Sequence, residues 1–206
     1  MSRRRFENLD QDRQQKLLDA AAEEFGARGY EAASLNRILE GAGMSKSSLY
    51  YYFDDKADLF ASMVERSIAF LFKAVGGLDL QALTAETYWS ELEGLFRRAI
   101  AVMNGDAWYL RLGRMFYRLR GQSRAGGPTD RAFDVAARWI AAIIERGQAL
   151  GVVRTDLPMS LLVACAMGLG EALDHWVIDH WDELDDAARL RMAAEQTDLF
   201  RRFLAP

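Results

Sequence analysis

Between residues 34 and 56 the chain reads SLNRILEGAGMSKSSLYYYFDDK, where hydroxyls, phenols and a lysine gather around short apolar repeats. Leu35, Ile38 and Leu39 recur at the spacing of one buried helical face, and Ser34 supplies an oxygen to cap that helix. Gly41 and Gly43 bracket a break. Ser45 then opens a second short helix as its N-cap, which leaves backbone N–H groups aimed at whatever anion lies ahead. At about 100° per residue, an inward Leu49 puts Phe53 beside it, Lys46 and Tyr52 at the flanks, and Ser47, Ser48 and Tyr51 outward. Small serines let a helix backbone sink toward base edges, while the phenols of Tyr50 and Tyr52 suit phosphates on either wall of a groove. Lys46 is the only full charge from Ala42 to Phe53. Three consecutive tyrosines cannot all face inward on a helix, so core packing alone does not account for them. The segment has the chemistry of a helix-turn-helix that reads DNA.

The elements that must hold this pair of helices are helical too. An upstream helix from about Asp12 to Arg28 buries Leu17, Leu18, Ala21, Ala22 and Phe25 and ends at Gly29. A downstream helix starts near Asp55, with Asp58 completing an acidic cap, and runs through Leu59, Phe60, Met63, Val64, Ile68, Leu71 and Val75 toward Gly76 and Gly77.

From about Arg13 to Val64, through RQQKLLDAAAEEFGARGYEAAS and AGMSKSSLYYYFDDKADLF, the chain resembles the N-terminal DNA-binding domain of TetR/AcrR-family transcriptional regulators. The resemblance implies a DNA-binding domain over residues 1–57 and, over 58–206, a divergent helical domain that dimerises and binds a small effector. It implies that Lys46 and Lys56 contact phosphates. The residues expected at the DNA are Ser34, Met44, Ser45, Lys46, Ser47, Ser48, Tyr50, Tyr51, Tyr52 and Lys56, with the tail Arg3, Arg4 and Arg5 acting as a basic arm. A solubilising disordered terminus is the competing account of that tail.

Charge supports this reading only once it is localised. The net charge is −4, and residues 1–60 hold nine Lys/Arg against eleven Asp/Glu. Positioned groups, not bulk charge, must therefore attract the nucleic acid. The 206 residues, 50% of them hydrophobic, are enough for one domain or two small ones. The single cysteine, Cys165, excludes an internal disulfide framework and fits a reducing compartment. No apolar run follows the N-terminal arginines and no window reaches a membrane span, so the expectation is a cytoplasmic protein without a membrane partner.

The remaining pattern is helical, with no strand alternation, and predicts an all-α fold. One helix passes through Tyr88, Leu92, Leu95, Phe96, Ala99 and Met103 with Thr84 as its cap, and another through Trp108, Leu112, Met115, Phe116 and Leu119. GQSRAGGP, residues 121–128, is a turn-rich break. A long helix ends at Gly151, an apolar one runs from Asp156 and Pro158 to about His180, and the last spans about Asp185 to Leu204.

No catalytic constellation emerges, and no metal or cofactor is expected. His175 and His180 are five residues apart, which turns them about 140° away from each other on a helix. GLG at 168–170 lies inside an apolar helix and not after a strand, so close packing explains it better than a phosphate cradle. The aromatic residues suit an apolar pocket between helices: Trp89, Phe96, Trp108, Leu112, Phe116 and Trp139, with His175 as the polar candidate, for an apolar or aromatic effector. A lone helix-turn-helix contacts too few bases, so a homodimer on a palindromic operator is expected. Ala164, Gly168 and Ala172 permit close helix approach there, and Phe200 and Leu204 supply apolar area. The function expected is transcriptional repression relieved by a small molecule. The alternative is a ligand-sensing helical bundle that acts through a protein partner without DNA.

Overall fold

In the computed structural model, residues 2–105, 110, 113 and 126–206 are described, side chains excepted at 2–4, 67–68, 70–72 and 126–132. Among them there are helices and no strands. The chain forms two compact units, residues 1–70 with 107–132, and 71–106 with 133–206.

The first unit contains α1 (Ser2–Glu7), α2 (Gln11–Ala32), α3 (Leu35–Ala42), α4 (Lys46–Tyr52) and most of α5 (Lys56–Val75). Asp10 caps α2 by accepting from the backbone N–H of Asp12 and Arg13. The expected face of α2 is the one that is buried: Leu17, Leu18, Ala21, Ala22 and Phe25. Gly29 breaks the helix at φ 73°, but one more turn follows the kink, so α2 reaches Ala32 and buries Tyr30. Its aromatic end stacks Phe25 on Tyr30, with Phe60 of α5 edge-on to both at 5.0 and 5.3 Å. This core therefore extends past residue 57 through Leu59, Phe60, Met63 and Val64, all at most 1% exposed. Asp55 accepts from the Asp58 N–H and Asp58 from the Asp54 N–H, the reciprocal acidic cap expected at the start of α5.

The second unit contains α6 (Tyr88–Gly105), α7 (Gly126–Ala149, from residue 133 on), α8 (Met159–Asp179), a 3₁₀ turn (Trp181–Glu183) and α9 (Asp186–Leu204). α7 begins at Gly126, so the end of the turn-rich stretch is already helical. The helix expected through Trp108, Leu112 and Phe116 lies outside the described residues, Leu110 and Gly113 apart. Leu83, Tyr88, Leu92, Ile143, Ile144, Val153, Leu162, Ala166 and Leu204 form one core. Tyr88 is fully buried and donates its hydroxyl to the Ile143 carbonyl at 3.0 Å, and burial pushes its pKa up. Its ring requires Gly147 opposite, where an added Cβ would lie 2.7 Å from the phenol and 2.4 Å from Val153.

α8 departs from expectation in one respect. It is long and apolar enough, by length and composition, to cross a membrane, and most of it is not buried within the chain. The unfilled side is a stripe. Ala164, Cys165, Gly168 and Ala172 are exposed along α8 between Leu161 and Trp176, each of which is 45% exposed. Leu190 and Leu199 of α9 are also exposed. An exposed apolar face of this kind is the type of surface at which proteins bind partners.

Candidate nucleic-acid interface

The turn between α3 and α4 is built by backbone geometry. Gly43 adopts φ 64°, a left-handed conformation that costs a residue without Cβ little, and the Gly43 and Met44 N–H groups donate back to the Glu40 and Leu39 carbonyls. Ser45 caps α4 through the Ser48 N–H at 3.3 Å, and its hydroxyl lies 2.9 Å from those of both Ser47 and Ser48. Leu49 and Phe53 are buried, which fixes the roll of the helix. Lys46, Ser47, Tyr50 and Tyr51 are then exposed, with Met44, Ser48 and Tyr52 half-buried at the edge. Tyr50 and Tyr51 are 62% and 53% exposed, far more than isolated tyrosines need in a core. The outward face carries the hydroxyls, phenols and cation expected from the sequence.

Ser34 holds α3 by a different route from the expected one. Its side chain makes no capping hydrogen bond. Its N–H donates instead to Glu24 Oε1 at 2.8 Å, and the same oxygen accepts from Arg37 Nε and Nη2 at 2.8 and 2.6 Å. Arg28 lies 3.4 Å from the other carboxylate oxygen. Glu24 has only a tenth of its side chain exposed, and the Arg37 hydrogen bonds, aided by the Ser34 N–H, hold its pKa below the usual value. A carboxylate on α2 thus caps α3 and ties the two helices. A buried face that includes one glutamate was the signal for it, and apolar periodicity passed over it.

Lys56, expected at a phosphate, is engaged by the protein's own backbone. Its Nζ donates to the carbonyls of Tyr30, Glu31 and Ala33 at 2.7, 3.1 and 3.3 Å and sits 4.7 Å over the Tyr30 ring. All three ammonium protons are directed at the last carbonyls of α2, which carry the negative end of the helix dipole. Gly29 lets α2 run on to that point, which the sequence reading stopped short of. The N-terminal arginines are likewise not an extended arm: residues 2–7 form α1, Arg5 lies over the Tyr51 ring, and Arg3 and Arg4 have side chains outside the described set.

In the second unit the effector candidates among the described residues have different surroundings. Trp89 and Trp139 pack against the common core, while Phe96 stacks on Phe200 at 5.7 Å. His175 is exposed on α8 and is not among the residues packed on that core. Trp108, Leu112 and Phe116 lie outside the described residues. An open groove of about 520 Å³ passes Trp89, and its walls include Glu86, Glu93, Thr197, Asp198 and Arg201 beside Ala85 and Ala194, a mixed polar and apolar lining. Of the interface candidates, Ala164, Gly168 and Ala172 are exposed, whereas Leu204 is 4% exposed and Phe200 packs inward on Phe96. Leu204 is a core residue and the half-buried Phe200 packs against that core, and the Arg154 N–H donates to the Leu204 carbonyl. Leu161 and Trp176 supply the exposed apolar area instead.

The described residues are helical, without strands, and a capped, exposed helix after a left-handed glycine turn has the geometry of a helix-turn-helix. Residues 17–63 match the family model described as "Bacterial regulatory proteins, tetR family". The transcriptional activator FasR of Mycolicibacterium smegmatis is 40% identical over 73 residues, 35% of this chain and 33% of FasR. The chain thus matches only about a third of that relative's length. The repressor KstR2 of Mycobacterium tuberculosis is 28% identical over 151 residues, 73% of this chain and 74% of KstR2. The regulator FadR of Bacillus subtilis, solved with stearoyl-CoA, has the same fold at a TM-score of 0.72 and 16% identity, over 90% of this chain and 96% of FadR. Over residues 17–63 the chain is thus similar to tetR-family regulatory proteins, and the relatives FasR and KstR2 are transcriptional regulators.

Proposed function

We propose that this protein is a homodimeric repressor that binds a palindromic DNA operator through α4 and is released by a small apolar or aromatic effector. The observation that carries the reading is the exposed face of α4. Lys46, Ser47, Tyr50 and Tyr51 are exposed on a helix whose roll is fixed by Leu49 and Phe53. Lys46 and the first N–H groups of α4 meet phosphates, and Ser47 and Tyr51 meet base edges. Residues 1–57 form the DNA-binding part and residues 58–206 the effector and dimerisation part.

Two copies are needed because one short helix contacts too few bases for useful specificity. The open stripe on α8, with small Ala164, Gly168 and Ala172 between Leu161 and Trp176, supports close helix packing about a two-fold axis. In this fold FadR holds stearoyl-CoA, which supports room for an apolar guest. Among the relatives, FasR is an activator and KstR2 a repressor.

The test is to select bound duplexes from a random pool with the full-length protein. A palindrome with half-sites about one helical turn or more apart is the expected result. Recovery of no preferred sequence would overturn the reading. Placing the recovered site before a reporter gene then separates repression from activation.

A further inference from the structure

We infer that the N-terminal helix α1 is part of the DNA-recognition apparatus: Phe6 sets the position of the C-terminal half of α4, and Arg5 sets the Tyr51 side chain. The inference rests on the proposed role of α4 and concerns residues that precede the segment matched to the family.

Six residues are too few to sustain a helix in water, so α1 depends on what it touches. Its anchor is Phe6, an aromatic ring only 1% exposed in a chain segment otherwise occupied by three arginines and an acid. The ring lies 4.9 Å from that of Phe53 and 6.1 Å, edge-on, from that of Tyr52, with the Arg66 guanidinium 5.1 Å away on α5. Its exit is fixed as well: Gln14 donates to the carbonyls of Glu7 and Leu9 at 3.2 and 2.6 Å, and the Leu9 N–H donates to the Phe6 carbonyl.

From α4 the dependence runs the other way. Only Leu49 is buried among its seven residues, so its last turn has little of its own to hold it. Phe6 covers that turn, through Tyr52 and the following Phe53. One residue outward, Tyr52 meets Tyr51 edge-on at 5.0 Å, and Arg5 lies over the Tyr51 ring at 4.8 Å. Both Arg5 and Tyr51 are exposed. A cation held on the face of an exposed phenol restricts the phenol's rotamers and places a guanidinium beside the group proposed to read bases. α1 therefore does two things: it fixes the pitch of the reading helix, and it adds Arg5 to the phosphate-facing charge.

The experiment measures binding of the selected operator and of an unrelated duplex, across a salt series, for the full-length protein and its variants. Phe6→Ala is expected to weaken operator binding at least tenfold while changing binding to unrelated DNA by less than threefold, and Phe6→Leu to regain most of the loss. Arg5→Ala is expected to lower the salt slope by about one per monomer. Its effect on base preference should be non-additive with that of Tyr51→Phe, as for residues in contact. Far-UV circular dichroism checks that Phe6→Ala keeps the helical content. Should that variant unfold, Arg5→Ala, at an exposed position, decides alone. A wild-type protein that selects an operator, with Phe6→Ala and Arg5→Ala matching it in affinity, preference and salt slope, overturns the inference and leaves the DNA reading intact. A wild-type protein that selects nothing overturns both.

Discussion

Glu24→Gln should loosen the reading head without touching any group proposed to face DNA. One oxygen of Glu24 takes the Ser34 N–H at the start of α3 and both Arg37 donors, all within 2.6 to 2.8 Å. Hydrogen bonds to a charged group contribute about 1.5 to 3 kcal/mol when shielded, and loss of a helix N-cap costs about 1 kcal/mol. Half of the Arg37 side chain is in water, so solvent screening sets its part near the low end. Glutamine keeps an oxygen for the Ser34 N–H but loses the charge, which leaves about 1 kcal/mol of destabilisation. Glu24→Ala removes the cap too and should cost about 2 kcal/mol. For a chain of this size that corresponds to a fall in Tm of roughly 2 to 8 °C across the two variants.

The pH dependence gives this its sign. The folded-state pKa of Glu24 lies below the ordinary value of 4.5, chiefly through the Arg37 hydrogen bonds. A depressed carboxylate contributes stability that is fully present above the unfolded value and is lost as pH falls through the folded one. The gap between wild type and Glu24→Gln should therefore be complete at pH 7 and should close as the pH drops below about 4.5. Urea unfolding at pH 7 and again at pH 3.5 reads it directly. Equal stability at pH 7, or a gap of the same size at both values, would refute the assignment of Glu24 as a charged cap.

Lys46→Ala and Lys56→Ala should separate cleanly: the first is expected to lower the salt slope of DNA binding by about one per monomer, and the second to leave the slope unchanged. The Lys56 variant should instead lose about 1 kcal/mol of stability in urea unfolding, since three carbonyls at the end of α2 lose their donor. Gly147→Ala must push its Cβ into the Tyr88 ring and Val153, and should cost about 1 to 3 kcal/mol by the same measurement. Gly168→Glu places a charge in the middle of the exposed α8 stripe, and light scattering at micromolar concentration should find a monomer where the wild type is a dimer. A wild-type monomer, with or without operator, would remove the dimer from the proposal.

The helices were legible because their signals are local. Ser45 and Asp185 cap α4 and α9 as their residue types require, accepting from Ser48 and Ala188, and Gly151 at φ 73° stops α7 where a glycine was expected to. What escaped was set by contacts distant in sequence. Lys56 reads as a surface cation after two aspartates, yet its partners are 23 to 26 residues upstream, and nothing in the local pattern reveals that a kinked α2 ends beneath it. Phe6 was hidden in a run of arginines whose composition suggests a solvated arm, although one buried ring is enough to turn that run into a helix. Phe200 and Leu204 share an apolar face that periodicity identifies correctly, but periodicity does not say whether the face meets its own chain or another.

These misses bear on how an acidic head can attract DNA. Residues 1–60 carry more acid than base, and Lys56 and Arg37 are engaged by the protein itself. Four of the eleven acids are engaged as well. Glu24 is held by Arg37 and Arg28, Asp10 caps α2, and Asp55 and Asp58 cap α5, so these four carboxylates are turned to helix N-termini or arginines. Helix-capping carboxylates and the positive end of a helix offset each other over short distances, and at physiological salt only charges within about 8 Å of a phosphate contribute strongly. On the docking proposed for α4, Lys46, the N–H groups behind Ser45 and Arg5 above Tyr51 are the positive groups on the face offered to a phosphate, and they should weigh more there than the formal charge of the domain.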